Sequence, residues 1–452
     1  MDEGLAPRRR LMAAICVSAG SILYTLDANI PNVALPTIAG ALGIARGEAV
    51  LLVSSYNLIL AMALLPLAAA GDRLGHRRIF VAGFSIYMLA AIGSLFANGL
   101  PFLIGIRVVQ ALAASALLSV SLAMVRFIYP AQMLGRGMGL NTMMASLGAA
   151  LAPGICGLLL SHFDWRAIFA AGLPLAVAGL AFARALPDPE VSAAPFDKKG
   201  AMLCAATLGT LIVGLQGMGT GMPHTVALGL LAAGLLLGAI FVRFETRLAR
   251  PVLPIDLLKD PALALSVGGA LLAVLASTLA LLYLPFELHE AGMSPAAVGA
   301  ALTPYAFAVI IIAPSSGMLS DRFSPQWLGL WGLMLALAGL VALAFIPDHP
   351  QVMDVAWRVA LCGAGFSLFF SPNGRLMISS VPRSRTAGAS SLLATTRMFG
   401  QALGSALLGS MVAAQLGAAP MLIACALGGL ALLATAIRLA LPPPSAELRQ
   451  PV

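Results

Sequence analysis

Apolar residues run along this chain in near-continuous blocks broken by short polar stretches, with neither the period-two alternation of a strand nor a single helical stripe. The blocks fall at 11–35, 48–70, 79–97, 101–125, 137–160, 166–186, 200–217, 224–243, 262–286, 296–318, 327–346, 354–377, 388–412 and 418–440. A helix needs roughly 20 apolar residues to cross a bilayer, and a block apolar on every side keeps no face for water. The pattern predicts an all-α membrane protein with fourteen transmembrane helices. An even number of spans puts both termini on one side.

The longest polar breaks, 184–199 and 243–260, bracket the seventh and eighth blocks. They divide the chain into an N-terminal six-helix bundle over 1–190, an inserted helix pair with its linkers over 191–260, and a C-terminal six-helix bundle over 261–452. Gly71-Asp72-Arg73-Leu74-Gly75-His76-Arg77-Arg78 follows the second block, and Gly317-Met318-Leu319-Ser320-Asp321-Arg322-Phe323 follows the tenth. These are matching positions in the two sixes. Internal repeats of this kind mark secondary transporters, which bind substrate near the bilayer midplane.

Charge sets the orientation. With a cytoplasmic N-terminus, 21 Lys and Arg residues fall on the inner side and three (Arg46, Arg166, Arg358) on the outer, while Arg107 and Arg397 lie within spans. Basic residues favour the cytoplasmic face, so both termini are expected inside a cell inner membrane. The net charge of +8 belongs to these loops rather than to a nucleic-acid surface. Arg8-Arg9-Arg10 and the block after it resemble a signal peptide, but the apolar run outlasts signal length and lacks a convincing cleavage site. It reads as an uncleaved first span.

With 60% hydrophobic and 10% charged residues and a mean hydropathy of +0.96, a soluble protein is excluded. The five cysteines stand singly in separate apolar blocks, and the five histidines lie in loops or at span ends. No metal cluster, disulfide framework, histidine relay, phosphate loop or nucleophile–base pair is recognisable. No cofactor and no enzymatic activity are expected.

One position breaks the apolar pattern. Asp27 is the only acidic residue well inside a span, about 24 Å along the first helix counted from Leu11. Intramembrane acids are costly and usually mark an ion or substrate path. Pro31 has no N–H, so in a continuing helix the carbonyl of Asp27 loses its partner. Arg107, early in the fourth block, lies at a comparable depth and keeps its charge at any accessible pH. A carboxyl alternating between wet and dry surroundings beside such a cation can take and release a proton. The alternative is an acid paired permanently with an arginine for structure.

Several stretches together resemble the fourteen-span drug:H+ antiporter branch of the major facilitator superfamily. Leu26-Asp27 to Leu35-Pro36 is similar to its helix 1 motif, with Asn29 and Pro31 replacing the usual Thr and Val. Gly71 to Arg78 resembles the loop 2–3 signature, and Arg107-Val108-Val109-Gln110 the helix 4 Arg-x-x-Gln motif. Gly148 to Gly157, with Pro153-Gly154, resembles the helix 5 antiporter motif, with Ala152 and Cys156 where Gly is favoured. Phe244-Glu245 to Leu253 and Arg397 to Gln401 also look like this branch.

The resemblance implies a proton-coupled exporter working by alternating access as a monomer in the lipid bilayer. Asp27 and Arg107 are the proton-coupling pair. Tyr24, Asn29, Tyr56, Asn57, Gln110, Glu287, Tyr305, Phe370 and Arg397 are candidate substrate contacts. Gly71, Asp72, Arg73, Gly75, Arg77, Pro153, Gly154 and Asp321 are candidate gating positions. One buried acid favours small amphipathic or lipophilic substrates with at most one positive charge. The rivals are a same-fold carrier of a specific metabolite, nutrient or siderophore, and a non-transporting membrane sensor or scaffold.

Overall fold

The computed structural model describes residues 5–130, 133–188, 198–218, 222–247, 255–381 and 386–441. Among the described residues it is all helical: α1 (Pro7–Leu42), α2 (Arg46–Leu74), α3 (His76–Ser94), α4 (Leu100–Ile128), α5 (Leu134–His162), α6 (Leu173–Phe182), α7 (Lys198–Gly217), α8 (His224–Glu245), α9 (Pro261–Glu290), α10 (Pro295–Arg322), α11 (Pro325–Ala344), α12 (Val352–Ser379), α13 (Thr386–Ala413) and α14 (Ala419–Ala440). All fourteen expected helices are present. Among the described residues, thirteen segments are long and apolar enough to cross a membrane; the sixth joins α6 to 3-10 turns at Trp165–Ala170 and Ala183–Ala185. The remaining helix, α13, carries Thr395, Thr396, Arg397 and Gln401 close together, too polar a stretch for that class.

The chain forms two compact units. Unit 1 comprises Met1–Ala205 with Ser294–Gly299, and unit 2 comprises Ala206–Met293 with Ala300–Val452.

In unit 1, α1 is the hub and packs on α2, α4, α5 and α6. It continues through Pro31 and Pro36 to Leu42, further than the apolar block alone predicts. Gly43 ends it with φ 62°, a left-handed conformation natural to glycine, and donates its N–H back to the last turn. Around α1 the core gathers Leu23, Phe80, Phe84, Tyr87, Leu117 and Val120. Phe80 and Phe84 meet edge to face, their ring centres 5.2 Å apart.

Small residues set how closely α1 and α5 approach. A Cβ at Gly148 would stand 2.5 Å from the carbonyl oxygen of Ile22, inside any tolerable contact. Gly148→Ala is therefore expected to push α5 off α1 at a cost of about 1–3 kcal/mol. Thermal unfolding of the purified variant checks this; an unchanged midpoint would show that the two helices can part freely.

In unit 2, α9 packs against α12, α13 and α14, and α11 against α12 and α14. A Cβ at Gly332 would lie 2.7 Å from the backbone nitrogen of Phe369, so α11 and α12 meet backbone to backbone. Ser410 Oγ in α13 donates to the carbonyl of Leu215 in α7 at 2.7 Å.

Candidate functional site

Asp27 sits in α1 with its side chain turned into unit 1, 2% exposed. Arg107 of α4 is wholly buried beside it. Arg107 Nη1 donates to Asp27 Oδ2 at 3.2 Å, forming an ion pair away from solvent. The other terminal nitrogen, Nη2, donates to the backbone carbonyl of Asp27 at 3.3 Å. This is the carbonyl that Pro31 strips of its helical partner. One guanidinium thus serves both the carboxylate and the orphaned carbonyl of the same residue.

Further bonds close the cluster. Tyr87 of α3 donates its hydroxyl to Asp27 Oδ1 at 3.0 Å. Arg107 Nη1 also reaches Gln110 Oε1 at 3.1 Å, and Nε approaches the carbonyl of Leu52 at 3.4 Å. Gln110 Nε2 donates to the carbonyl of Phe169 at 2.9 Å. The guanidinium carbon lies 4.0 Å above the Tyr56 ring and 5.6 Å from that of Phe169. Aromatic faces attract a cation, and the attraction strengthens where water is absent.

Local structure aims these groups. Arg107 and Gln110 are three positions apart, so they share one face of α4. Phe169 is held by the Trp165–Ala170 turn, which Asp164 starts by accepting from Arg166 N at 2.9 Å. Gly172 leaves space for Tyr87, since a Cβ there would sit 2.8 Å from the phenol carbon Cζ.

The structure therefore brings together Asp27, Arg107, Tyr56 and Gln110 of the expected residues. Asn29 lies two positions on, its Nδ2 bonded to the carbonyl of Thr25 at 2.7 Å. Tyr24 is half-buried on α1, and Asn57 is buried beside Tyr56 on α2. Glu287, Tyr305, Phe370 and Arg397 all belong to unit 2. Glu287 Oε2 is buried without a hydrogen-bond partner among the described residues. Tyr305 lies within electrostatic reach of Arg397, which is exposed on α13. Phe370 packs against Phe366 and Phe369, with ring centres 6.0 and 5.4 Å away.

Of the expected gating positions, Gly75 is the joint between α2 and α3, with φ 99°, a conformation that favours glycine. Gly71 is buried, and a Cβ there would lie 2.6 Å from Val120 Cγ1. Asp72 lies in the last turn of α2, and its Oδ1 pairs with His76 Nε2 at the start of α3 at 3.2 Å. Arg73 is exposed and Arg77 half-buried. Pro153 and Gly154 lie inside α5, half-buried. Asp321 is in the last turn of α10, and its side chain lies outside the described residues.

Two features escape the sequence reading. Tyr87 is one of six tyrosines, and a phenol at mid-span needs a hydrogen-bond partner, which was the available signal. A second polar knot joins α1, α4 and α5: Ser21 Oγ and Ser121 Oγ both reach Asn141 Oδ1, at 2.6 and 3.0 Å. Small polar residues are too common in membrane helices for this knot to stand out in the sequence.

Comparison with known proteins agrees with this architecture. The chain matches the family described as the Major Facilitator Superfamily over residues 17–284 and 265–451. It is 36% identical over 414 residues to the uncharacterized transporter YebQ of Escherichia coli K12, covering 91% of each chain. It is 30% identical to the multidrug resistance protein Stp of Mycobacterium tuberculosis, covering 91% of this chain and 77% of that one. A crystal structure of a POT family transporter in complex with 5-aminolevulinic acid shares the fold, with a TM-score of 0.71 at 17% identity over 97% of both chains.

Proposed function

The chain belongs to the major facilitator superfamily and is a multi-pass membrane transporter, and from that premise we propose that it exports small amphipathic compounds in exchange for protons. The observation that carries this reading is the buried Asp27–Arg107 pair. It is an acid at membrane depth, held by a cation on a different helix.

In the structure the pair is shut. Asp27 bonds to Arg107 and Tyr87 at once and has almost no solvent contact, so a proton reaches it only if α1 and α4 shift. An acid parted from its cation at this depth must be solvated, re-paired or neutralised, because an isolated charge is too costly there. Protonation follows separation, and return of Arg107 expels the proton. The coupling cycle is thus an exchange of partners on one carboxylate: Arg107 while the pair is shut, and either a proton or a cationic substrate, but not both, once it is open. Substrate binding to the open, protonated state therefore also releases the proton. Tyr56 and Phe169 keep the guanidinium in place while the partners change.

Lipophilic compounds bearing at most one positive charge fit this site best, since the cluster holds one carboxylate. The relative named as a multidrug resistance protein supports export of such compounds. The basic bias of the loops supports an inner-membrane location with both termini cytoplasmic. A single chain contains the whole cluster, which supports a monomer as the working unit.

Proton release tests the reading. Lipophilic cationic dyes added to the purified protein in weakly buffered detergent should acidify the solution as Asp27 gives up its proton. The same dyes should accumulate in everted vesicles on energisation. A panel in which no compound releases protons, or in which only one metabolite moves, would end the multidrug-antiporter reading.

A further inference from the structure

Unit 2 contains a buried arginine that the transport cycle does not use. Arg438, in the last turn of α14, is 5% exposed, and its Nε has no hydrogen-bond partner among the described residues. It lines a cavity of about 10 Å³ with Gln326, Gly329, Asn373 and Thr435. That is room for one water-sized atom. Asp260 lies within electrostatic reach, but no ion pair joins the two, and Asp260 Oδ1 accepts from Ala262 N at 2.9 Å. A buried guanidinium whose Nε–H has no partner among the described residues calls for an acceptor.

The same cavity opens on the first turn of α11. Ser324 precedes that helix without a side-chain cap, and Pro325 occupies its first position. The first amides of a helix have no intrahelical partner, and together they favour an anion. Trp327 and Trp331, one turn apart on this helix, are 51% and 58% exposed. Exposed tryptophans at the end of a membrane helix mark the depth of the lipid headgroups. We infer that the cavity between α11, α12 and α14 binds one oxygen of a phosphate group, that of a phospholipid headgroup.

Charge favours the lipid over free phosphate. With Asp260 nearby, Arg438 leaves less than one full positive charge to offset, which suits a singly charged phosphodiester. A free phosphate brings a larger negative charge and lacks acyl chains to lie beside the tryptophans.

Thermal unfolding of the full-length, delipidated protein in neutral detergent tests this, with phosphatidylglycerol, inorganic phosphate or diacylglycerol added. Phosphatidylglycerol should raise the midpoint saturably, and diacylglycerol should not. Arg438→Gln should raise the half-saturating lipid concentration about tenfold or more, as expected on losing a charge-assisted hydrogen bond. Gly329→Val should do the same by filling the cavity while keeping the charge, since a Cβ there stands at an ordinary 3.5 Å from Phe369. A rise with inorganic phosphate alone, lost in both variants, keeps the site and makes its ligand the free anion. If both variants respond like the parent, or diacylglycerol works as well as phosphatidylglycerol, the inference is wrong.

Discussion

Asp27→Asn is expected to abolish proton-driven export while leaving a folded protein. The asparagine keeps the size and one acceptor oxygen, so the bond from Arg107 can persist while the amide NH2 donates to the Tyr87 hydroxyl, which turns to accept it. What it lacks is a group that takes and gives a proton. Transport in everted vesicles should fall by about a hundredfold or more, within the usual reach of one essential proton carrier. Some stability is lost too, because Arg107 is left buried without its counter-charge. The double variant Asp27→Asn/Arg107→Gln removes that penalty by neutralising both partners. If the pair served only structure, transport should return with stability in the double variant. If Asp27 carries the proton, stability returns and export does not.

Arg107→Met should have the largest effect on stability. The methionine fills much of the same space but donates nothing, leaving four acceptors that arginine now serves: the Asp27 carboxylate, the Asp27 carbonyl, Gln110 Oε1 and the Leu52 carbonyl. Breaking a buried pair by removing one partner costs about 3–5 kcal/mol. For a unit of this size that lowers the unfolding midpoint by roughly 10 °C. Arg107→Lys keeps the charge but loses the planar fork that reaches carboxylate and carbonyl together, so its loss should be smaller. Thermal unfolding of the purified variants measures both. A lysine variant no more stable than the methionine one would mean that the bonds to the carbonyls, and not the ion pair, hold α4 to α1.

Much of this was legible before any coordinates. Uniformly apolar blocks of membrane length can only become helices, because every backbone polar group in a bilayer must be satisfied within its own segment. The loop between α2 and α3 and the Arg-x-x-Gln spacing stood out because charge is rare among such blocks. Helix ends were less readable. The first helix outran its apolar block because Pro31 and Pro36 did not stop it, Arg107 having taken over one of the freed carbonyls. The sixth block broke into a 3-10 turn and a short helix, with Asp164 and Gly172 at the junctions.

The sequence by itself determined the membrane class, the number of helices and the two charges worth asking about, since length and apolar content decide what a bilayer accepts. Which groups meet those charges was decided only by the tertiary structure. Tyr87 lies 60 positions from Asp27 and Arg107 lies 80, yet both touch the same carboxylate. Arg438, by contrast, reads in the sequence as one more basic residue at a helix end, and only packing leaves it buried with no partner for Nε among the described residues. Helix periodicity places a residue on a face, but the faces that come together depend on small residues such as Gly148, whose missing side chains let backbones close to contact.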